Sequence, residues 1–201
     1  MVVLVSGSGT NLQAIIDAIQ EGILDARIAA VISNQSSAFG LQRAEKAGIE
    51  TKVLTKKTDQ TRRFYDSELA EIVKSYQPDL IILAGWMRLL SANFLDQFPE
   101  KVINLHPALP GMFPGIHAIE RAFEAYQRKE IGYTGVMVHL VPDEGVDSGP
   151  VLNKEIVPIY PSDSLESLEE RIHQCEHKLL VETVRQQVEK TLTGMDGKTD
   201  A

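Results

Sequence analysis

The first half of the chain alternates short apolar runs with longer amphipathic segments. Runs without polar positions, at residues 2–5, 28–32 and 80–84, predict strands that are buried on both faces of a sheet. Two further short strands are predicted at residues 52–54 and 102–105, which each contain one polar residue. Apolar residues at helical spacing, such as Leu12, Ile15 and Ile19, predict the helices between them, at residues 11–20, 38–47, 62–76 and 91–98. Strands that alternate with helices indicate an α/β domain with a mostly parallel, helix-covered sheet.

The second half of the chain has a different pattern. Residues 133–141 and 151–159 are long strand-like segments joined by the turn-rich stretch PDEGVDSGP. We expect them to extend the sheet, at least partly antiparallel. A final helix is predicted from about residue 165 to residue 192, begun by Ser162 or Ser164 with acids in its first turns. We therefore expect one domain over residues 1–192 and a disordered tail over residues 193–201.

Composition narrows the class of protein. The 201 residues carry a formal net charge of -8, which disfavours nucleic acid as a partner. The single cysteine, Cys175, cannot form an internal disulfide, which fits a reducing compartment. The first residues lack the pattern of a signal peptide, and no apolar run reaches 18 residues. We expect a cytoplasmic protein without a membrane partner.

A glycine-rich loop, SGSGTN at residues 6–11, follows the first predicted strand. A helix start offers unpaired N–H groups and a partial positive charge, and glycines let the backbone approach an anion closely. A dinucleotide fingerprint would need a third glycine where Leu12 stands, and a Walker loop would need Gly-Lys-Ser/Thr. The loop therefore favours a monophosphate, with a plain tight turn as the alternative.

Three polar residues at strand ends are candidates for catalysis. Asn104 and His106 are two residues apart, so they point to the same side of an extended chain, and Asp147 follows a later strand. Ligands of open α/β sheets bind at the carboxyl ends of the strands, so we expect the three side chains to meet there with the glycine loop. An amide and a protonated imidazole can stabilise an oxyanion, as in acyl transfer, while a carboxylate orients the imidazole or carries a proton.

No serine or cysteine stands beside His106, which favours direct transfer between two bound substrates over a covalent acyl-enzyme. Taken singly, each of the three candidates also has a structural explanation, as a hydrogen-bonded histidine or as the cap of a turn.

Motifs spread over nearly the whole chain carry a family resemblance. They are LVSGSGTNLQAIIDA at 4–18, VISN at 31–34, AFGLQRAEKAGI at 38–49, PDLIILAGWMRLLS at 78–91, INLHPALPG…PGIHA at 103–118, TGVMVHLVPDEGVDSGPV at 134–151 and EH at 176–177. In these motifs the chain resembles the folate-dependent phosphoribosylglycinamide formyltransferases of the formyltransferase superfamily.

The resemblance implies a three-layer formyltransferase fold with a Rossmann-like N-terminal half. It implies transfer of the formyl group of 10-formyltetrahydrofolate, as cosubstrate, to the amino group of glycinamide ribonucleotide in purine biosynthesis. Asn104 and His106 would stabilise the oxyanion, and Asp147 would assist His106 and proton transfer. The residues expected at the ribonucleotide are Gly9, Thr10, Asn11 and Glu176, and those expected at the folate are Trp86, Met87, Arg88, Leu89, Leu90, Leu140 and Val141.

The segment after His106 departs from the usual family pattern, because Ala108 lacks the usual hydroxyl and Pro110-Gly111 replaces Leu-Pro. The sequence leaves open the path of residues 108–112, the roles of Asp143, Glu144, His117 and His173, and the choice between a monomer and a homodimer. His173 and His177 have a spacing that could bind a metal, but no metal is expected.

Three alternatives remain for the function. A formyltetrahydrofolate hydrolase usually has an extra N-terminal domain, and a methionyl-tRNA formyltransferase usually has a further C-terminal domain and a basic surface. A nucleotide-binding module without catalysis is disfavoured by the presence of Asn104, His106 and Asp147.

Overall fold

The computed structural model describes residues 1–196, with side chains described for residues 1–190. Within these residues, seven strands form one sheet in the order β3-β2-β1-β4-β5-β6-β7. The strands are β1 (Val2–Val5), β2 (Ala30–Ser33), β3 (Thr51–Val53), β4 (Ile81–Leu83), β5 (Val102–His106), β6 (Tyr133–Leu140) and β7 (Val151–Pro158). The helices are α1 (Thr10–Gln20), α2 (Phe39–Lys46), α3 (Arg62–Ser75), α4 (Ala92–Leu95), α5 (Ala118–Gln127) and α6 (Leu165–Asp196).

Strand pairing divides the sheet into a parallel and an antiparallel part. Strands β1 to β5 pair in parallel, whereas β6 is antiparallel to β5 and β7 is antiparallel to β6. The predicted mostly parallel sheet with an antiparallel C-terminal extension is thus confirmed. The order β3-β2-β1-β4-β5 matches a Rossmann-like half, and it reverses between β1 and β4, which is where such folds bind ligands.

The central strands contribute to a core on each face of the sheet, because successive strand side chains point to opposite faces. Val3 of β1 packs in a cluster with Leu12 of α1 and Ile172 of α6. Leu4, the next residue, packs in a second cluster with Tyr65 of α3. Full burial of such an aliphatic side chain contributes about 1.5–3 kcal/mol. Helices therefore cover both faces, which confirms the expected three layers.

The last helix differs from its predicted extent. Helix α6 continues to Asp196, so the first part of the predicted tail over residues 193–201 is helical, and residues 197–201 lie outside the described residues. Among the helices that the structure describes, none combines the length and the apolar character needed to span a bilayer.

Candidate active site

A cleft of about 690 Å³ opens where the order of the parallel strands reverses. The loops that follow β1, β4, β5 and β6 line it, together with part of α6. Every predicted site residue except one lies in its wall: Gly9, Thr10, Asn11, Trp86, Met87, Arg88, Leu89, Leu90, Asn104, His106, Val141, Asp147 and Glu176. The structure therefore brings residues scattered from position 9 to position 176 together in one cleft.

Leu140 is the exception. Its neighbours His139 and Val141 line the cleft, and alternate residues of an extended chain face opposite sides. The side chain of Leu140 consequently packs against the core cluster that contains Val3 and Leu12. The structure does not bring Leu140 together with the other predicted folate-binding residues.

The three candidate catalytic side chains form one contact cluster. Asn104 and His106 lie on β5, and Asp147 lies in the loop between β6 and β7. Asn104 Nδ2 donates to Asp147 Oδ1 at 3.0 Å, and His106 Nδ1 lies 3.3 Å from Asp147 Oδ2. The backbone N–H of Gly115 also donates to Asp147 Oδ2, at 2.7 Å. The carboxylate therefore lies where an amide donor and an imidazole converge.

His139 of β6 is a fourth member of this cluster, and it was not among the predicted site residues. It is buried, and it pairs directly with Asn104 in the antiparallel register of β5 and β6. Its Nδ1 lies 2.7 Å from the backbone oxygen of Leu140, which can only accept, so Nδ1 carries the proton. In the neutral ring Nε2 is then an acceptor, 3.2 Å from Asn104 Nδ2. Both hydrogens of the Asn104 amide have acceptors, which fixes its orientation.

The imidazole of His106 is held between two acceptors. Its Nε2 lies 3.1 Å from the backbone oxygen of Phe113, and its Nδ1 faces Asp147. Burial lowers the pKa of His106 below its ordinary value, although the Asp147 carboxylate and the Phe113 carbonyl oppose that shift. The ring is thus largely neutral at pH 7. When it takes up a proton, both of its N–H groups face an acceptor, the Phe113 oxygen and Asp147 Oδ2.

Asp147 stays ionised in this setting. Burial alone would raise the pKa of its carboxyl, but the hydrogen bond from the Gly115 N–H and the neighbouring His106 imidazole hold that pKa below its ordinary value. The backbone of Asp147 has a φ of 49°, in the left-handed region that residues with a side chain rarely adopt. An ionised carboxylate beside a histidine can orient the ring and receive a proton.

The glycine loop forms another part of the cleft wall. Gly9 has a φ of 69° and precedes the first turn of α1, whose N–H groups point out of the helix start. A Cβ on Gly9 would lie 2.5 Å from the Cα of Gly40, so the two backbones approach as closely as glycine allows. Arg43 of α2 donates from Nε to the backbone oxygen of Ser8 at 2.8 Å. The loop therefore packs against α2 as well as leading into α1.

Helix α6 places a paired acid and histidine beside this loop. Glu176 is buried, and His173, one helical turn earlier, contacts its Oε2 from Nδ1 at 2.7 Å. This contact raises the pKa of His173 above its ordinary value. Both residues line the cleft, so His173 belongs to the site although the sequence left its role open. Its i, i+3 spacing from Glu176 was the signal that could have indicated it.

The segment after β4 supplies the apolar wall of the cleft. Trp86 and Leu90 are buried, whereas Met87 is 69% exposed and Leu89 is 50% exposed. The guanidinium of Arg88 lies 4.9 Å from the ring centroid of Tyr65. Exposed apolar side chains beside a cation suit a flat, partly apolar ligand that carries a negative charge.

Glu144 connects the loop after β6 to the helical layer. Its Oε1 accepts the backbone N–H of Ala92, at the start of α4, at 3.0 Å, and its Oε2 pairs with Arg62 of α3. The role of Glu144, which the sequence left open, is thus to fix the loop that carries Asp147.

The unusual segment after His106 folds as a tight turn. Met112 N–H donates to the oxygen of Leu109 at 2.9 Å, and Gly111 has a φ of 77°, which glycine accommodates without strain. Ala108 is fully buried. A Cβ on Gly135 of β6 would lie 2.5 Å from Leu109 Cδ2, so Leu109 packs directly on the backbone of that strand.

Among the side chains that the structure describes, no cluster of three or more histidine, cysteine or acidic residues is arranged to hold a metal ion. The absence of a metal stays a prediction.

Comparisons with known proteins agree with this geometry. Residues 1–184 match the model of the formyl transferase family. The chain is 51% identical to a phosphoribosylglycinamide formyltransferase of Dictyostelium discoideum, over 91% of this chain and 95% of that protein. It is 50% identical to a protein of the same name from Schizosaccharomyces pombe, over 92% of this chain and 95% of that protein. It also superposes on the crystal structure of a phosphoribosylglycinamide formyltransferase from Bacillus halodurans with a TM-score of 0.88, at 36% identity, over 94% of this chain and 95% of that one.

The family match over residues 1–184 includes every residue that lines the cleft, and the superposition covers 94% of the chain. The chain therefore belongs to the formyl transferase family and, within it, to the phosphoribosylglycinamide formyltransferases.

Proposed function

We propose that this chain transfers the formyl group of 10-formyltetrahydrofolate to the amino group of glycinamide ribonucleotide, a step of purine biosynthesis. The observation that carries the proposal is the meeting of Asn104, His106 and Asp147 in one cleft with the glycine loop. Family membership supports a formyl-folate donor, and the names of the relatives support the acceptor.

The two ends of the cleft suit the two substrates. The acceptor phosphate binds the N–H groups at the start of α1, around Gly9, Thr10 and Asn11, while Glu176 accepts hydrogen bonds from the ribose. Asn11 Oδ1 is buried without a partner among the described residues, so it is free to accept a hydrogen bond from the acceptor.

The donor lies along the wall formed by residues 86–90 and Val141. Its pteridine ring reaches toward the buried Leu90, and the rest of the donor extends along the exposed Met87 and Leu89. This arrangement directs N10 and its formyl group toward Asn104 and His106.

Transfer is direct. The acceptor amine attacks the formyl carbon, and the carbonyl π electrons move to oxygen, which becomes an oxyanion. The oxyanion accepts a hydrogen bond from Asn104 Nδ2, in place of the bond to Asp147, and another from His106 once that imidazole is protonated. Asp147 receives the proton from the new ammonium, through water or through His106. The oxyanion then re-forms the carbonyl as the bond from carbon to N10 breaks, and N10 takes up the proton that Asp147 had received. Formylglycinamide ribonucleotide and tetrahydrofolate leave.

The remaining expectations follow from this chemistry. The substrates are small molecules, with no nucleic acid and no membrane as partner, and no metal takes part. We expect the protein to work in the cytoplasm, as a monomer or a homodimer.

An absorbance assay of donor deformylation tests the proposal. Purified protein is mixed with a 10-formylfolate analogue, with and without glycinamide ribonucleotide. A signal that requires the acceptor supports the proposal. Deformylation without the acceptor supports a hydrolase instead, and no deformylation under either condition refutes formyl transfer.

A further inference from the structure

Arg121 of α5 contacts the loop that joins β5 to α5. It does not line the cleft, and its side chain is half-buried. Its Nη2 donates to the backbone oxygens of Phe113 at 2.6 Å and Pro114 at 2.7 Å, and its Nε donates to that of His117 at 3.3 Å. One guanidinium therefore binds three carbonyls of a single loop.

This loop has an unfavourable backbone. Phe113 has a φ of 47° and His117 a φ of 58°, both in the left-handed region, and Gly115 between them has a φ of 82°. Residues with a Cβ are disfavoured there and keep such a conformation only where the surroundings hold it. The hydrogen bonds from Arg121 are charge-assisted, which makes them stronger than bonds from a neutral donor.

The same loop touches two of the three groups proposed for catalysis. The Phe113 oxygen that Arg121 binds also faces His106 Nε2 at 3.1 Å. Two residues later, the Gly115 N–H donates to Asp147 Oδ2 at 2.7 Å. The loop backbone thus sets the plane of the imidazole and the rotation of the carboxylate.

We infer that Arg121 is a positioning residue for formyl transfer, acting through the loop backbone on His106 and Asp147. The expected effect of Arg121 on turnover rests on the proposed function. Its effect on the positions of His106 and Asp147 does not depend on which substrates bind. Arg121 itself touches neither substrate. A purely structural anchor would change the stability of the fold and leave the geometry of the folded site unchanged.

Two substitutions separate these roles. Arg121→Met keeps the length and apolar stem of the side chain but removes every donor. Arg121→Lys can restore the main contacts, because the bonds to Phe113 and Pro114 both come from one nitrogen, Nη2. Arg128→Ala is the matched control, since Arg128 follows α5, is exposed, and pairs with Glu124 and Glu130.

We expect Arg121→Met to lower kcat by about 10- to 100-fold, because a small misplacement of catalytic groups has effects of this size. The KM for the ribonucleotide should stay within about twofold, since its phosphate binds at the glycine loop. Arg121→Lys should recover most of kcat, and Arg128→Ala should behave as wild type. Wild-type kcat in Arg121→Met, or equal loss in the Met and Lys variants, would overturn the inference.

A second readout needs no substrate. Amide hydrogen exchange at Gly115 and the imidazole Nε2–H signal of His106 are followed by NMR in the folded variants. Both should lose protection in Arg121→Met and keep it in Arg121→Lys, whereas unchanged protection in Arg121→Met contradicts the inference. Arg121→Gln is measured in parallel as a second variant without the charge. If the wild-type protein transfers no formyl group, the proposed function fails, and this second readout still decides the inference.

Discussion

Replacing Gly9 by alanine perturbs the phosphate end of the cleft at a defined point. Gly9 has a φ of 69°, where a residue with a Cβ loses roughly 1–2 kcal/mol. The new Cβ would also lie 2.5 Å from the Cα of Gly40. An ordinary contact begins near 3.4 Å, so the start of α1 or of α2 must move by roughly 0.9 Å.

This displacement sets the expected magnitude. A shift of about 1 Å in a binding group can cost on the order of 100-fold, which is about 2.7 kcal/mol. The loss should fall on the acceptor, because the N–H groups that bind its phosphate belong to the part of α1 that moves. We expect the KM for glycinamide ribonucleotide to rise by 10- to 100-fold and the KM for the donor to change by less than about threefold.

Both KM values are obtained from initial rates in which one substrate is varied while the other is kept at a saturating concentration. Gly7→Ala is the matched control in the same loop, because a Cβ there meets nothing within 4 Å and Gly7 does not have a positive φ. Unchanged acceptor binding in Gly9→Ala would refute the assignment of the loop. An equal loss in Gly7→Ala would show that the effect is not specific to the close approach.

Three further predictions concern the walls of the cleft. Contact with Glu176 raises the pKa of His173, so the positive charge of His173 persists above pH 6.5 and is lost as the pH rises further. The KM for the acceptor should therefore rise over that pH range in wild type and rise less in His173→Gln. Identical pH profiles of the two proteins would exclude a role of this charge. Glu144→Gln should weaken the attachment of the loop after β6 and raise the donor KM by about 3- to 10-fold, with the acceptor KM unchanged, as steady-state kinetics can check. His139→Leu removes the acceptor that fixes Asn104 and should lower kcat about tenfold without a similar change in either KM, and a wild-type kcat would contradict that role.

The sequence predicted the sheet well because its central strands are buried on both faces. A run such as Val2–Val5 contains only apolar residues, so its assignment does not depend on knowing which side faces the core. The spacing of Asn104 and His106 then predicted their shared side, since a strand alternates its side chains. These inferences depend only on local geometry.

Contacts that depend on register or on loop conformation could not be predicted in the same way. His139 reaches Asn104 only because the antiparallel pairing of β5 and β6 places them opposite each other, 35 residues apart in the chain. Arg121 binds carbonyls whose directions follow from the left-handed backbone of Phe113 and His117, which are not glycines. Leu140 is different, because alternation along a strand lets only one of the neighbours Leu140 and Val141 face the cleft, so the expectation for both could have been corrected from the sequence.

The most direct test of the proposed mechanism compares His106→Ala, Asp147→Asn and the double variant by kcat/KM, with folding checked by circular dichroism. Groups that act as one unit have strongly non-additive effects. We predict that each single variant loses several orders of magnitude and that the double variant is about as active as the weaker single variant. Near-normal activity in either single variant, or losses that multiply in the double variant, would contradict a joint action of His106 and Asp147 on one formyl group.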